Sequence, residues 1–145
     1  MKNWHYKIAK AGDFLPELTL EPISRTTLAL YAGASGDHNP VHIDIDAAKE
    51  AGFSDVFAQG MLIMTYLGRV LTNAVPQLDL REFGVQFVAI THVHERLICC
   101  ARVESVEPIA GEDILILGLE VSNHVGEIKL KGDAKIVRQH VANSE

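Results

Sequence analysis

Cysteine is scarce in this chain, and what there is cannot build a framework. The only two cysteines, Cys99 and Cys100, are neighbours. A disulfide-stapled secreted fold is excluded, and a reducing compartment fits. Basic charge is also short. Lys and Arg number 13 against 19 Asp and Glu, a formal net charge of −6. A protein that grips a nucleic-acid backbone carries the opposite balance, so no nucleic-acid partner is expected. Long apolar runs are missing, and none approaches the roughly 18 residues a membrane span needs. No apolar stretch follows Met1 to His5, so a signal peptide is not expected and a cytoplasmic location is.

What is present is ordinary globular composition, with 48% hydrophobic and 22% charged residues in 145. Disorder, collagen and coiled coil are poor readings of such a mixture. The length suits one domain over residues 1–145. No internal repeat, linker or low-complexity tract appears. The chain changes character near residue 80, from short helical patterns to strand-like runs. Helices followed by strands suggest an α+β fold.

Residues 14–20 read as a short extended segment with Pro16 near its start. Ser24 is placed to cap a helix whose apolar face holds Leu28, Tyr31 and Ala32, with Gly33 and Gly36 ending it. Asp46 is expected to cap a second short helix over 47–51, stopped by Gly52. The longest helical pattern runs from about Gln59 to Ala74. Met61, Met64, Leu67 and Leu71 form its stripe, Leu62, Ile63, Tyr66 and Val70 widen it, and Pro76 blocks its continuation. A helix so apolar on most sides is expected to be buried.

Four strand runs follow, at about 82–91, 96–106, 113–122 and 127–138. The turn 123–126 suits a hairpin. Short connections suggest a meander. In the last run Lys129, Lys131 and Lys135 alternate with Leu130, Ala134 and Ile136, which predicts one wet and one dry face. The run 114–117 is apolar on both faces. One should meet the helix, and the other an interface or the N-terminal segment. The expected architecture is a bent antiparallel sheet wrapped around one long helix.

The chemistry-bearing stretch is Ser35-Gly36-Asp37-His38-Asn39-Pro40-Val41-His42-Ile43-Asp44. Gly, Asp, Asn and Pro are common turn residues, so composition alone allows a plain loop. The spacing suggests more. Asp37 and His42 flank a stiff Asn39-Pro40 step. Such a loop can turn a carboxylate and an imidazole toward one water, as a general acid–base pair. The long helix opens with Gln59-Gly60-Met61, where free backbone N–H groups and the positive dipole end suit a developing oxyanion.

These residues resemble the MaoC-like (R)-specific enoyl-CoA hydratases and dehydratases, which share the hot-dog fold. The resemblance rests on Tyr31-Ala32, the run Ser35 to His42, Asp44, Ala48, Gly52-Phe53 and Ala58-Gln59-Gly60-Met61, and spans roughly residues 24 to 138. It implies that Asp37 and His42 are a catalytic dyad gripping a water. Asn39 would orient that loop, and the Gly60 N–H would bind the substrate's thioester oxygen. The implied reaction adds water across C2–C3 of a trans-2-enoyl thioester on CoA or acyl carrier protein, or runs in reverse. It needs no metal and no redox cofactor. The implied assembly is a homodimer, or a heteromer with a second hot-dog chain, with the site near the interface. The rival activities are a thioesterase on the same fold and a subunit active only with a partner chain.

Two departures from the family pattern matter. Gln59 replaces the usual His, and Gln cannot carry a proton near neutral pH. The turn Val93-His94-Glu95-Arg96 replaces a Pro-Gly-Asp-type turn. Other features have plainer readings. His92 and His94 would share a strand face that could suit a metal, yet no third ligand is evident and exposure explains them better. His38 is expected at the surface or the site entrance, and His5, His124 and His140 at the surface. Met61, Met64 and Tyr66 could border an acyl tunnel, though core packing explains each. Cys99 and Cys100 read as structural thiols. Residues 33–37 lack the spacing of a hydrolase nucleophile elbow, and no phosphate-binding fingerprint occurs.

Overall fold

The computed structural model describes residues 4–139. Its helices are α1 (Arg25–Ser35), α2 (Ile45–Glu50) and α3 (Gly60–Ala74). Its strands are β1 (Leu18–Thr19), β2 (Leu80–Phe87), β3 (Leu97–Ile109), β4 (Glu112–Asn123) and β5 (Ile128–Gln139). They form one five-stranded antiparallel sheet in the order β1-β3-β4-β5-β2. The sheet folds around α3, which packs against β1, β2, β3 and β4. This is the bent sheet around one helix that the sequence predicts.

Local chemistry explains the helix ends. The Ser24 side chain accepts from the Thr27 N–H, and Gly36 closes α1 in the left-handed region at φ +76°. Gly33 lies inside α1 rather than ending it. The cap of α2 is Asp44, not Asp46. Its carboxylate accepts from the N–H groups of Asp46 and Ala47, and Asp46 sits in the first turn, where the dipole favours an acid. Helix α3 buries Leu62, Ile63, Leu67, Val70 and Leu71. They meet Leu97, Cys99, Leu115, Leu117, Leu130 and Ile136 from the sheet in one core. Strands β3 and β4 contribute every second residue, as the pleat requires. Trp4 donates its Nε1–H to the Ala74 carbonyl at the end of α3, and the N-terminal turn Tyr6–Ile8 contacts β5.

Two expectations about the sheet also fail. The meander holds only for β3, β4 and β5, because β2 pairs with β5 instead of β3. The segment between β2 and β3 is no hairpin. Its backbone bonds elsewhere: the Val88 N–H donates to the Lys129 carbonyl, the Ala58 N–H to the Thr91 carbonyl, and the His94 N–H to the Ile23 carbonyl. The second failure is Lys129, expected on the wet face but 0% exposed. The register of β4 on β5 shifts between Val121 and Ser122, which pair with Leu130 and Ile128. Lys129 is therefore the extra residue of a β-bulge, and a bulge re-aims its side chain.

Candidate active site

The Asp37–His42 loop is built by a chain of short-range bonds. Gly36 turns the backbone out of α1. The Ser35 hydroxyl donates to the Tyr31 carbonyl and accepts from the Asp37 N–H. Asp37 Oδ1 accepts from the Asn39 N–H at 3.3 Å. The Asn39 side chain then caps a 3-10 turn, Pro40–His42, by accepting from the Val41 N–H. Asn39 is exposed, and its side-chain bond stays within this loop.

His42 is 8% exposed. Its Nδ1 lies 2.7 Å from the Phe57 carbonyl. A carbonyl only accepts, so Nδ1 carries the proton and the ring orientation is set. The Phe57 ring meets the imidazole edge-on at 4.9 Å. That leaves Nε2 facing Asp37 Oδ2 at 4.0 Å. The separation is too long for a direct hydrogen bond. It suits two groups that share a third atom between them.

A cavity of about 310 Å³ opens beside His42. Gly60, Phe57, Ile63, Phe87 and Leu130 line it with His42, and residues 88–91 form one wall. Apart from His42 and Thr91, the lining side chains are apolar, as in sites that bury a ligand's hydrocarbon part. Gly60 is the first residue of α3. First-turn N–H groups have no intrahelical acceptor and carry the positive end of the dipole. The structure thus brings His42 and the start of α3 to one cavity, with Asp37 beside His42.

Gly60 also permits a close approach. A Cβ there would stand 2.9 Å from Phe87 Cε1. Gly60→Ala is expected to push the Phe87 ring off the helix start while keeping the N–H. Displacements of about 1 Å at a reacting centre can cost about 10²-fold. A kcat/KM loss of about tenfold or more with an unchanged Tm would fit. Full activity in the variant would rule the close approach unimportant.

Gln59 is fully buried, and its Nε2 donates to the Leu28 carbonyl in α1 at 3.0 Å. Its Oε1 is buried without a hydrogen-bond partner among the described residues. Gln59 therefore ties α3 to α1 and does not line the cavity. Met61, Met64 and Tyr66 do not line the cavity: Met64 and Tyr66 pack against the core, the reading favoured for them, and Met61 is exposed. Ile63, one residue from the expected stripe member Met64, faces it instead.

His92 bridges Phe57 and His94 lies in the turn that follows, so the two do not share a strand face, and both are exposed. Among the described residues no three potential ligands cluster to hold a metal ion. His5, His38 and His124 are exposed, while His140 lies outside the described residues. Burial pushes the Cys99 thiol up to about 12. Burial, with the Glu17 carboxylate beside it, pushes Cys100 up to about 11. Neither is a nucleophilic thiolate near neutral pH. No helix among the described residues is long and apolar enough to cross a membrane.

One group escaped the sequence reading. Glu95 Oε1 accepts from Asn123 Nδ2 at 2.7 Å and pairs with Lys129 Nζ at 2.9 Å, while Oε2 accepts from the His92 N–H at 2.7 Å. Burial opposes the Glu95 charge. The hydrogen bonds from Asn123, Lys129 and His92 outweigh it and hold the carboxyl below the ordinary range. A glutamate in an unfamiliar turn, 34 residues before a lysine flanked by Ile128 and Leu130, was the only signal.

Comparison with known proteins places these features in a family. A model described as the MaoC like domain matches residues 9–117. The chain is 31% identical over 135 residues to a UPF0336 protein of Streptomyces avermitilis, covering 87% of this chain and 90% of that protein. It is 25% identical over 104 residues to a mitochondrial 3-hydroxyacyl-[acyl-carrier-protein] dehydratase of Solanum lycopersicum, covering 72% of this chain and 63% of the other. A solved unliganded R-hydratase from Pseudomonas aeruginosa matches its fold with a TM-score of 0.80 at 24% identity, over 97% of this chain and 91% of that one.

Proposed function

The chain belongs to the MaoC-like family, and from that premise we propose that it is an (R)-specific hydro-lyase acting on 2-enoyl and 3-hydroxyacyl thioesters. The observation that carries this reading is the facing of Asp37 and His42 at 4.0 Å beside an apolar cavity shared with the start of α3. A water at about 2.8 Å from both Asp37 Oδ2 and His42 Nε2 fits off the line joining them.

With Nδ1–H committed to the Phe57 carbonyl, Nε2 of the neutral ring is the free acceptor. In hydration the water oxygen bonds C3 as one of its protons passes to Nε2. The C2–C3 π pair moves toward the thioester oxygen, which becomes enolate-like beside the Gly60 N–H. The pair then returns, and C2 takes a proton from the dyad. Asp37 faces the imidazolium that forms and favours it electrostatically. Dehydration is the same path reversed. The thioester carrier is CoA or acyl carrier protein, the second being the carrier in the name of the tomato relative.

The proposed assembly is a dimer. Strand β2 is an open edge, and Phe87 and Val88 at its end are exposed beside the cavity with Ile90. An open edge with apolar neighbours favours cover by another chain. A second copy or a second hot-dog chain would supply it, and the mass of the purified protein in solution separates these.

The test follows enoyl absorbance with trans-2-enoyl-CoAs from crotonyl-CoA to longer and bulkier chains. A stereospecific dehydrogenase then reads the product's handedness. (R)-3-hydroxyacyl product supports the proposal. Release of free thiol without hydration would point to thioester hydrolysis. Inertness of the chain alone, reversed by a co-purified hot-dog partner, would point to the heteromer.

A further inference from the structure

We propose that Lys129 is a positioning residue that sets which acyl groups the cavity accepts, through its hold on the Ile90 carbonyl; this rests on the hydratase reading above. Charged side chains are almost never fully buried unless paired. Lys129 is 0% exposed and sits on a bulge that turns it inward. Its Nζ donates to Glu127 Oε2 at 2.6 Å and to the Ile90 carbonyl at 2.8 Å, and pairs with Glu95 Oε1 at 2.9 Å. An ammonium has three donors, and three acceptors surround it.

The two carboxylates suffice to balance the charge. The third acceptor is a neutral carbonyl in the middle of the wall formed by residues 88–91. That wall lies beyond the end of β2 and has no strand ladder of its own. Its ties are few. The N–H groups of Val88 and Ala89 donate to the Lys129 carbonyl, at 2.8 and 3.3 Å. The Thr91 carbonyl accepts from the Ala58 N–H at 2.9 Å, two residues before Gly60. Just past the wall, the His92 N–H donates to Glu95, the partner of Lys129. One lysine therefore grips the wall by both its backbone and its side chain. Loosening that grip changes the width of the cavity where the acyl chain lies. Asp37 and His42 have holds of their own, in the Asn39 N–H and the Phe57 carbonyl, and Lys129 touches neither.

The test compares wild type with Lys129→Met and with the double variant Lys129→Met/Glu95→Gln. The double variant leaves no unpaired Glu95 charge, so it remains informative if the single variant fails to fold. Steady-state kinetics are measured over the same acyl series, with amide exchange of residues 88–92 in parallel. We expect kcat on the best wild-type substrate to stay within about threefold. The ratio of kcat/KM between that substrate and bulkier ones should shift by about tenfold, the scale of small changes in a hydrophobic pocket. Exchange in 88–92 should quicken while α3 stays protected. A folded variant with an unchanged acyl profile, or with an equal loss of kcat on every substrate, would overturn the assignment. A wild type inert on all thioesters, with and without a co-purified hot-dog partner, would defeat the hydratase reading instead. Exchange then decides the grip, because rates equal to wild type would show that Lys129 does not hold the wall.

Discussion

Asp37→Asn and His42→Ala are each expected to lower kcat/KM for enoyl-thioester hydration by about 10²-fold or more. That is about 2.7 kcal/mol of barrier. The two variants fail differently. Asn keeps the shape of Asp37 and can still accept from the Asn39 N–H, which is 3.3 Å from Oδ1. It removes the charge that favours the imidazolium and weakens the grip on water. Ala at 42 removes the proton acceptor itself, and the Phe57 carbonyl loses its 2.7 Å donor. The Asp37 side chain is 43% exposed, so its loss should leave thermal stability nearly unchanged. His42→Ala should lose some stability, because a buried ring contact with Phe57 goes with it. Measuring kcat, KM and Tm together separates chemistry from folding. Either variant retaining activity within about tenfold of wild type, while folded, would remove that residue from the dyad.

Gly132→Ala is expected to destabilise the fold by about 2–3 kcal/mol, a drop in Tm of roughly 5–10 °C. A Cβ at this position would stand 2.2 Å from the Gly84 carbonyl oxygen and 3.0 Å from Val85 Cγ1. The first obstacle is backbone and cannot rotate aside. Gly132 pairs with Val85 on one side and Leu119 on the other, so it lies between two strands that cannot both retreat. The weaker boundary is with the edge strand β2, which should lift. Gly84→Ala provides the control, since nothing lies within 4 Å of the Cβ it would add. Denaturation of the two variants beside wild type checks this. Equal stability of both would mean that β2 adjusts freely on β5. Activity should fall with Gly132→Ala as well, because β2 delivers Phe87 to the face of Gly60.

Much of this molecule is legible in short stretches of sequence. Ser24 three residues before Thr27, and Gly36 at the end of an apolar face, are local signals whose physics is complete within a few bonds. The same is true of the turn at 123–126, where Asn123 Oδ1 accepts from the Val125 and Glu127 N–H groups. The loop of Asp37, Asn39 and His42 belongs to this class too. Its carboxylate, amide and proline organise the backbone among themselves, and only the His42 ring is set from farther off, by the Phe57 carbonyl. Asp44 and Asp46 carry the same chemistry two residues apart, so the local sequence does not choose between them as the cap. Which one sits just outside the helix is set by where Pro40–His42 leaves the chain.

The sequence by itself determined the elements, the buried helix and the acid–imidazole loop, because hydrophobic period, capping and turn chemistry act over a few residues. Only the tertiary structure decided that β2 joins β5 and that residues 88–91 become a cavity wall. It alone turned Lys129 inward to hold that wall. Strand partners and bulges arise from contacts between residues far apart in the chain, and a pattern of alternating side chains is silent about them. One extra residue in one strand reverses the face of a side chain, and no periodicity within that strand reveals where it will fall.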